Sequence, residues 1–276
     1  MSFDGPAADP AADAAFADAI RANGKVILGG VQENTERQGV VSVRVFPPIK
    51  PLRKAALGWG LLVFNPVDPD YGVRQIYFGT NQTPTATWRA AEALGAPITR
   101  SSRDALGSLW LNYYGPPGSF SSVSFGDVLA PGRLPPGYFN GKIVLIGGKP
   151  DTLGTDYFVT PFPFTNPSHA FIQGTEVHAT ILLNLLRGEW LTRIPISREI
   201  ALIVFVGLVA GGLALLRSSR ATLLSLLISI GIACGACWLV WHQRIWFAWL
   251  IPSAVQMPFG LAWAVSSQFL LKSRQS

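Results

Sequence analysis

Three long apolar runs without a charged residue fill the last third of the chain, and they constrain its fold more than any other feature. They cover residues 200–216, 221–241 and 245–271, which are 17, 21 and 27 residues long. A helix needs roughly 20 apolar residues to cross the hydrocarbon core of a bilayer. The links between the runs are only 217–220 and 242–244. The sequence therefore predicts three transmembrane helices packed as an all-α bundle in a lipid bilayer.

The net charge of +6 belongs to this apolar region. Seven of the 22 basic residues and one of the 16 acidic residues follow position 192, so residues 1–192 carry no net charge. The basic surplus therefore flanks the predicted spans instead of forming a patch on the first domain. This distribution argues against nucleic-acid binding, which needs clustered basic side chains.

The basic residues also predict an orientation in the membrane. The link 217–220 holds two arginines, and Lys272 and Arg274 end the chain, which places both on the cytoplasmic side. Arg193 and Arg198 favour the opposite orientation but are fewer. Tryptophans form an interfacial belt around the other link: Trp238, Trp241, Trp246 and Trp249. We expect residues 193–276 to form the transmembrane region, and residues 1–192 to lie in the periplasm or outside the cell.

Residues 1–192 show the alternation of helices and strands typical of an α/β or α+β domain with a mixed central sheet. The first helix is predicted from Pro10, capped by Asp9, to a glycine stop at Gly24. Four aliphatic residues between glycines make 141–147 the strongest strand, with the pattern of a central strand buried on both faces. The strand expected before the first helix is missing, so the domain is predicted to be incomplete at its amino terminus.

Candidate polar residues lie shortly before the last predicted helix of this domain and in its first turn. This helix runs from Glu176 to the residue before Gly188. They are Asp151, Asp156, His169, Glu176 and His178. No two of them have the i, i+4 spacing of helical metal ligands. We interpret Glu176 as complementing the helix dipole, and His178 as capping or packing locally. We therefore predict no catalytic residue, metal or cofactor, and keep Asp156, Glu176 and His178 as candidate ligand-binding residues.

Two other motifs favour a structural over a chemical interpretation. Asp68, Asp70 and Gly72 form a turn pattern that lacks the further oxygen ligands of a calcium loop. Cys234 and Cys237 have C-x-x-C spacing but lie inside an apolar run, where we interpret them as small packing residues. A disulfide framework is therefore not predicted.

Several short motifs occur in a fixed order across residues 9–191. They are Asp68–Arg74, Asn112-Tyr113-Tyr114-Gly115, Asp127-Val128-Leu129, Phe139–Gly147, Asp156 with Thr160-Pro161, Gly174–Ala179 and Leu185–Gly188. In this order they resemble the second type of CHASE domain, the cyclase/histidine-kinase-associated sensory extracellular domain. Three spans directly after the domain are the arrangement that this family usually shows.

The resemblance implies a membrane-anchored, non-catalytic sensory input module of a bacterial receptor in the inner (plasma) membrane. It would bind an unknown extracytoplasmic ligand and act through a cytoplasmic adenylate cyclase or kinase, or as a homodimer. Such receptors also have an amino-terminal span, which is not predicted here, so we expect a fragment or a chain with a separate effector. Two alternatives remain open: a structural or assembly protein of the envelope, and a membrane enzyme using the 151–178 region.

Overall fold

The computed structural model divides the chain into two compact units, Met1–Trp190 and Leu191–Ser276. The residues that it describes are 3–37, 40–64, 67–148, 156–162, 170–216 and 219–273. The candidate residues Asp151 and His169 lie outside these ranges.

The first unit begins with helix α1 (Pro10–Asn23), as the sequence predicts. The Asp9 carboxylate accepts a hydrogen bond from the N–H two residues later, and Gly24 ends the helix at a φ of 70°. Helix α1 packs with strand β1 (Ile27–Arg37) and helix α2 (Lys50–Ala55). Their shared small core consists of Ala17, Ile20, Leu28, Leu52 and Ala55.

Strand β1 is the centre of a three-stranded sheet of order β2-β1-β3. Strand β2 (Val40–Phe46) pairs antiparallel with β1, and strand β3 (Gly58–Leu61) pairs parallel with it. Strand β2 therefore lies at an edge of this sheet. Gly60 in β3 has no room for a side chain, because a Cβ atom there would overlap the Thr85 backbone.

A larger core forms around helices α3 (Ala86–Ala93) and α5 (Gly174–Arg187). The short elements between them are β4 (Leu109–Trp110), α4 (Phe125–Leu129), β5 (Tyr157–Val159) and β6 (Phe171–Gln173), and β5 and β6 pair antiparallel. The buried apolar side chains of this core include Val73, Ile76, Trp88, Ala91, Leu111, Ile172, Val177, Ile181 and Leu185. The unit is a mixed α/β domain with small sheets.

The prediction of a single mixed central sheet built on 141–147 is wrong. Residues 142–148 belong to no helix or strand, and Ile143 and Ile146 are 53% and 63% exposed. Residues 73–78 form no strand either and make an isolated bridge between Gln75 and Trp110. Both runs have strand-like composition, but apolar side chains of α3 and α5 fill the interior. Composition alone does not specify a partner strand.

The second unit contains α6 (Ile196–Leu216), α7 (Ser219–Trp238) and α8 (Met257–Ser273). Two helical segments, Ile196–Leu216 and Arg220–Gln243, are long and apolar enough to cross a membrane. The third predicted span is interrupted, since a π-helical turn containing Pro252 precedes the 17 residues of α8. Within the described residues there are thus two candidate spans, where the sequence predicts three.

Side chains from all three helices of the second unit contribute to its packing. Val206 and Ala210 of α6 are buried together with Met257 of α8. The Gln256 amide, in the π-helical turn, donates a hydrogen bond to the Ile203 carbonyl over 3.0 Å. The Ser229 hydroxyl of α7 donates to the Ser253 carbonyl over 2.7 Å. Cys234 and Cys237 are exposed and form no disulfide.

Candidate functional site

Helix α5 carries candidate functional groups at both ends. Its buried face, with Val177, Ile181 and Leu185, anchors it in the larger core. Glu176 and His178 lie in its first turns, and Gly188 ends it in the left-handed conformation. The predicted helix end is confirmed, and Gln173 occupies the N-cap position. A helix held along its whole length by the core can connect groups at its two ends.

Asp156 lies against the start of α5. Its backbone carbonyl accepts a hydrogen bond from the Gly174 N–H over 2.9 Å. Its carboxylate occupies the space that a Cβ atom on Gly174 would need. Burial raises the pKa of the Asp156 carboxyl above its ordinary value. The glycine therefore brings this carboxyl close to the amino-terminal turn of the helix.

Glu176 fastens a distant turn to the first turn of α5. Its two carboxylate oxygens accept hydrogen bonds from the Gly118 N–H over 2.9 and 3.1 Å. An acidic side chain at this position is also favoured by the helix dipole, as the sequence predicts. The contact with Gly118, 58 residues earlier in the chain, had no signal in the sequence.

His178 packs against an aromatic cluster, as the sequence predicts. Its ring lies 4.3 Å from the Phe64 ring, whose other neighbour is Phe158 at 4.8 Å. The Nδ1 atom is buried and has no hydrogen-bond partner among the described residues. Burial lowers the pKa of His178 to about 4, so the imidazole is neutral at pH 7.

The three candidate residues share the amino-terminal end of α5 but point to different neighbours. Asp156 contacts Gly174, Glu176 binds Gly118, and His178 packs on Phe64. Within the described ranges, no group of three acidic, histidine or cysteine side chains could hold a metal ion. The arrangement places two carboxyls and a neutral imidazole, all of them hydrogen-bonding groups, at the amino-terminal end of α5.

At the other end of α5, Asn184 clamps the chain at Asn112. The Asn184 Oδ1 atom accepts the Asn112 N–H over 2.8 Å, and its Nδ2 donates to the Asn112 carbonyl over 2.9 Å. Asn184 is completely buried. A buried amide that satisfies both backbone groups of one residue fixes that segment against the helix.

The two tyrosines after Asn112 add hydrogen bonds from this clamp to two other segments of the chain. The Tyr113 hydroxyl donates to the Val73 carbonyl over 2.8 Å. The Tyr114 hydroxyl donates to Glu189 over 2.8 Å, just past the end of α5. Burial, followed by the Glu189 carboxylate, raises the pKa of Tyr114 to about 12. The clamp was not predicted from the sequence, although the Asn-Tyr-Tyr-Gly motif marked its position.

The acidic turn at 68–72 contacts an arginine. The Arg74 guanidinium donates to Asp68 over 2.6 Å, and to both oxygens of Asp70 over 2.8 and 2.5 Å. These hydrogen bonds hold the pKa of the Asp70 carboxyl well below its ordinary value. Tyr71 adopts a φ of 61°. Because the carboxylates bind Arg74, the turn interpretation fits the structure better than a calcium loop.

Several of the motifs quoted from the sequence thus contact α5 or the residues just after it: Asn112 binds Asn184, Tyr114 binds Glu189 and Asp156 binds Gly174. Comparison with known proteins gives a family for the chain: the model of the CHASE2 domain matches residues 1–213. CHASE2 domains are sensory extracellular domains of signalling receptors. No curated protein and no solved structure matches the chain significantly. Since the matched residues make up well over half of the 276, the chain belongs to the CHASE2 domain family.

Proposed function

We propose that the chain is a membrane-anchored sensory input module of a bacterial signal-transduction receptor. It has no catalytic activity of its own in this proposal and acts through a separate adenylate cyclase or kinase. The observation that carries the proposal is the position of α5 in a CHASE2 domain. Its first turns hold Glu176 and His178, its last turn is clamped at Asn184, and the chain continues from there to α6.

The membrane part of the proposal keeps three spans. Ile196–Leu216 and Arg220–Gln243 supply two of them. The third would combine the π-helical turn Ile251–Gln256 with α8. Prolines and non-α turns are tolerated in spans when neighbouring helices satisfy the freed backbone groups. The spans would lie in the inner membrane, with the carboxy terminus in the cytoplasm.

The proposed mechanism is a ligand-dependent shift between two states of the domain. A ligand changes such an equilibrium only if its affinity differs between the states. Contact with Asp156, Glu176 or His178 would stabilise one arrangement of the amino-terminal end of α5. The helix would then move the Asn184 clamp and the segment that follows it.

Ligand-dependent stabilisation of the full-length chain tests this function. The detergent-solubilised protein would be melted in the presence of a broad panel of small polar metabolites. We expect at least one compound to raise the melting temperature, and to raise it further as its concentration increases, because binding to the folded state stabilises it. A complete absence of shifts across the panel would count against a sensory role.

An assembly protein of the envelope is the second candidate. Gly211 and Gly212 of α6, and Gly231 and Gly235 of α7, have no atom within 4 Å of a Cβ position. Such open glycine faces allow close approach of another helix in a membrane. A stable partner protein or a second copy that co-purifies from membranes, and is lost in Gly231→Leu, would favour this function.

A membrane enzyme using the 151–178 region is the third candidate. Asp156, Glu176 and His178 make separate contacts and do not form a nucleophile–base pair with one another. Replacing all three by alanine would abolish an activity that depends on them. An unchanged phenotype of the host with this variant, expressed at the normal level, would remove this candidate.

A further inference from the structure

Glu199 is a carboxylate buried in the first turn of α6, with an exposed fraction of 2%. It accepts two hydrogen bonds from the Arg193 guanidinium, from Nε over 2.9 Å and from Nη2 over 3.1 Å. It also accepts the Ala248 N–H over 2.9 Å. One carboxylate thus contacts the segment before α6 and the segment that leads to α8.

The same two segments pair as strands. Strand β7 (Leu191–Arg193) runs parallel to β8 (Ile245–Trp246). The Thr192 N–H donates to the Arg244 carbonyl over 2.8 Å, and the Ile194 N–H donates to the Trp246 carbonyl over 3.2 Å. The Arg193 guanidinium lies 4.9 Å from the centre of the Trp246 ring. Two backbone hydrogen bonds and a cation–π contact therefore support the Glu199 interactions.

A buried carboxylate is costly unless it is paired and hydrogen-bonded. Glu199 meets this condition only while Arg193 and the Ala248 N–H both remain in place. Its location beside the positive end of the α6 dipole adds a further favourable interaction. A shift of β7 relative to α6 or to β8 breaks hydrogen bonds of the Glu199 carboxylate. The three segments are therefore favoured to move together.

We propose that Glu199 is a positioning residue that couples β7 to two helices at once. Movement of β7 reaches α6 through the chain and reaches the start of α8 through Glu199, Ala248 and the β7–β8 pair. The signalling role of this coupling rests on the proposed sensory function, whereas the coupling itself does not. The residues Arg193, Glu199 and Ala248 are named the Glu199 junction below.

Hydrogen exchange of the full-length chain in lipid nanodiscs tests the junction without any ligand. In Glu199→Gln we expect the Ile194 and Ala248 amides to exchange at least about tenfold faster, because charge-assisted hydrogen bonds are lost. The matched control is Arg198→Gln, which changes a neighbouring exposed charge and should leave both amides unchanged. Equal exchange in Glu199→Gln and wild type would overturn the proposal.

A second variant covers the case in which Glu199→Gln does not fold, which unprotected α6 amides would reveal. Arg193→Lys keeps the positive charge but loses the bidentate geometry of the guanidinium. It should accelerate the same two amides while the α6 amides stay protected. Unchanged exchange in this folded variant would contradict the junction as well.

A double-mutant comparison tests whether movement is passed on. Thr192→Pro removes the N–H that binds the Arg244 carbonyl and so disturbs β7 directly. We expect faster exchange in residues 248–256 in the wild-type background, and no further acceleration when Glu199→Gln is already present. Independent, additive effects would show that the junction does not couple β7 to α8. Because no ligand is used, this result stands apart from success or failure of the sensory proposal.

Discussion

The buried amide of Asn184 shows how a single side chain determines the position of a whole segment. It satisfies both the N–H and the carbonyl of Asn112, and Tyr113 and Tyr114 then reach Val73 and Glu189. None of these three contacts follows from periodicity or propensity, because each joins residues 40 to 75 positions apart. The contacts give the Asn-Tyr-Tyr run a structural role in this chain.

Asn184→Ala should destabilise the first unit by about 2–4 kcal/mol, because two buried backbone groups of Asn112 lose their partners. Asn184→Asp should cost at least as much, since its carboxylate still accepts the Asn112 N–H but places a buried negative charge against the Asn112 carbonyl oxygen. Urea unfolding in detergent, followed by tryptophan fluorescence, measures the change. Asn140→Ala, at an exposed position, is the control and should be neutral. A loss below about 0.5 kcal/mol in Asn184→Ala would contradict the clamp.

His178 predicts a pH dependence of stability. The unfolded chain binds a proton at His178 near pH 6.5, whereas burial lowers the folded pKa to about 4. The unfolded state therefore binds more protons between these values, and stability falls as the pH decreases from about 6.5 to about 4. The loss amounts to roughly 3 kcal/mol at the acidic end.

His178→Gln should remove this component, which melting temperatures measured from pH 7 to pH 4.5 would reveal. The raised pKa of Asp156 acts in the opposite direction, because that carboxyl gains stability as it becomes protonated. Asp156 is present in both wild type and His178→Gln, so the difference between their pH profiles reports the contribution of His178 alone. His242→Gln is the control, and a profile of His178→Gln parallel to wild type would show that the imidazole is not buried in solution.

At the scale of elements, Gly60 is the point where strand β3 comes close to the start of helix α3. A Cβ atom there would overlap the Thr85 backbone, and Thr85 caps α3. Gly60→Ala should therefore cost about 1–3 kcal/mol by overpacking. Gly107→Ala is the matched control, because no atom lies within 4 Å of its Cβ position. Equal melting temperatures of the two variants would refute the close approach of β3 to α3.

The fold expected from the sequence and the observed fold differ at residues 142–148, which form no strand. Ile146 is 63% exposed, whereas Ile181 of α5 is 2% exposed. We expect Ile146→Ser to change the unfolding free energy by less than about 0.5 kcal/mol, and Ile181→Ser to cost about 3 kcal/mol or more. Urea unfolding of both variants compares the sites. A comparable cost at Ile146 would show that this run is packed inside the protein.

Elements with local signals could be predicted from the sequence, and elements that depend on distant partners could not. Helix α1 has an aspartate cap and a glycine stop, and α5 has its glycine stop, so their ends follow from nearby residues. Residues 141–147 lack such information, because a strand exists only if another strand pairs with it. The same holds for the candidate site: Glu176 was identified, but its partner Gly118 was not.

At the scale of the whole molecule, amino-acid composition predicted more of the architecture than the short motifs did. The apolar runs predicted the membrane region, and two of the three are long apolar helices in the structure. The third contains Pro252, which removes a backbone donor where the π-helical turn forms. The CHASE2 match covers both the α/β domain and the start of this region, since it extends to residue 213.

We propose that the CHASE2 domain lies outside the cell and that the end of α8 lies on the cytoplasmic side of the membrane. Single cysteines at Asn140 and Ser273, in a background with Cys234→Ala and Cys237→Ala, allow a direct measurement with a membrane-impermeant maleimide. With this orientation we expect Asn140→Cys to be labelled in intact spheroplasts and Ser273→Cys to be labelled only after permeabilisation. Labelling of Asn140→Cys only after permeabilisation would contradict an extracytoplasmic sensor.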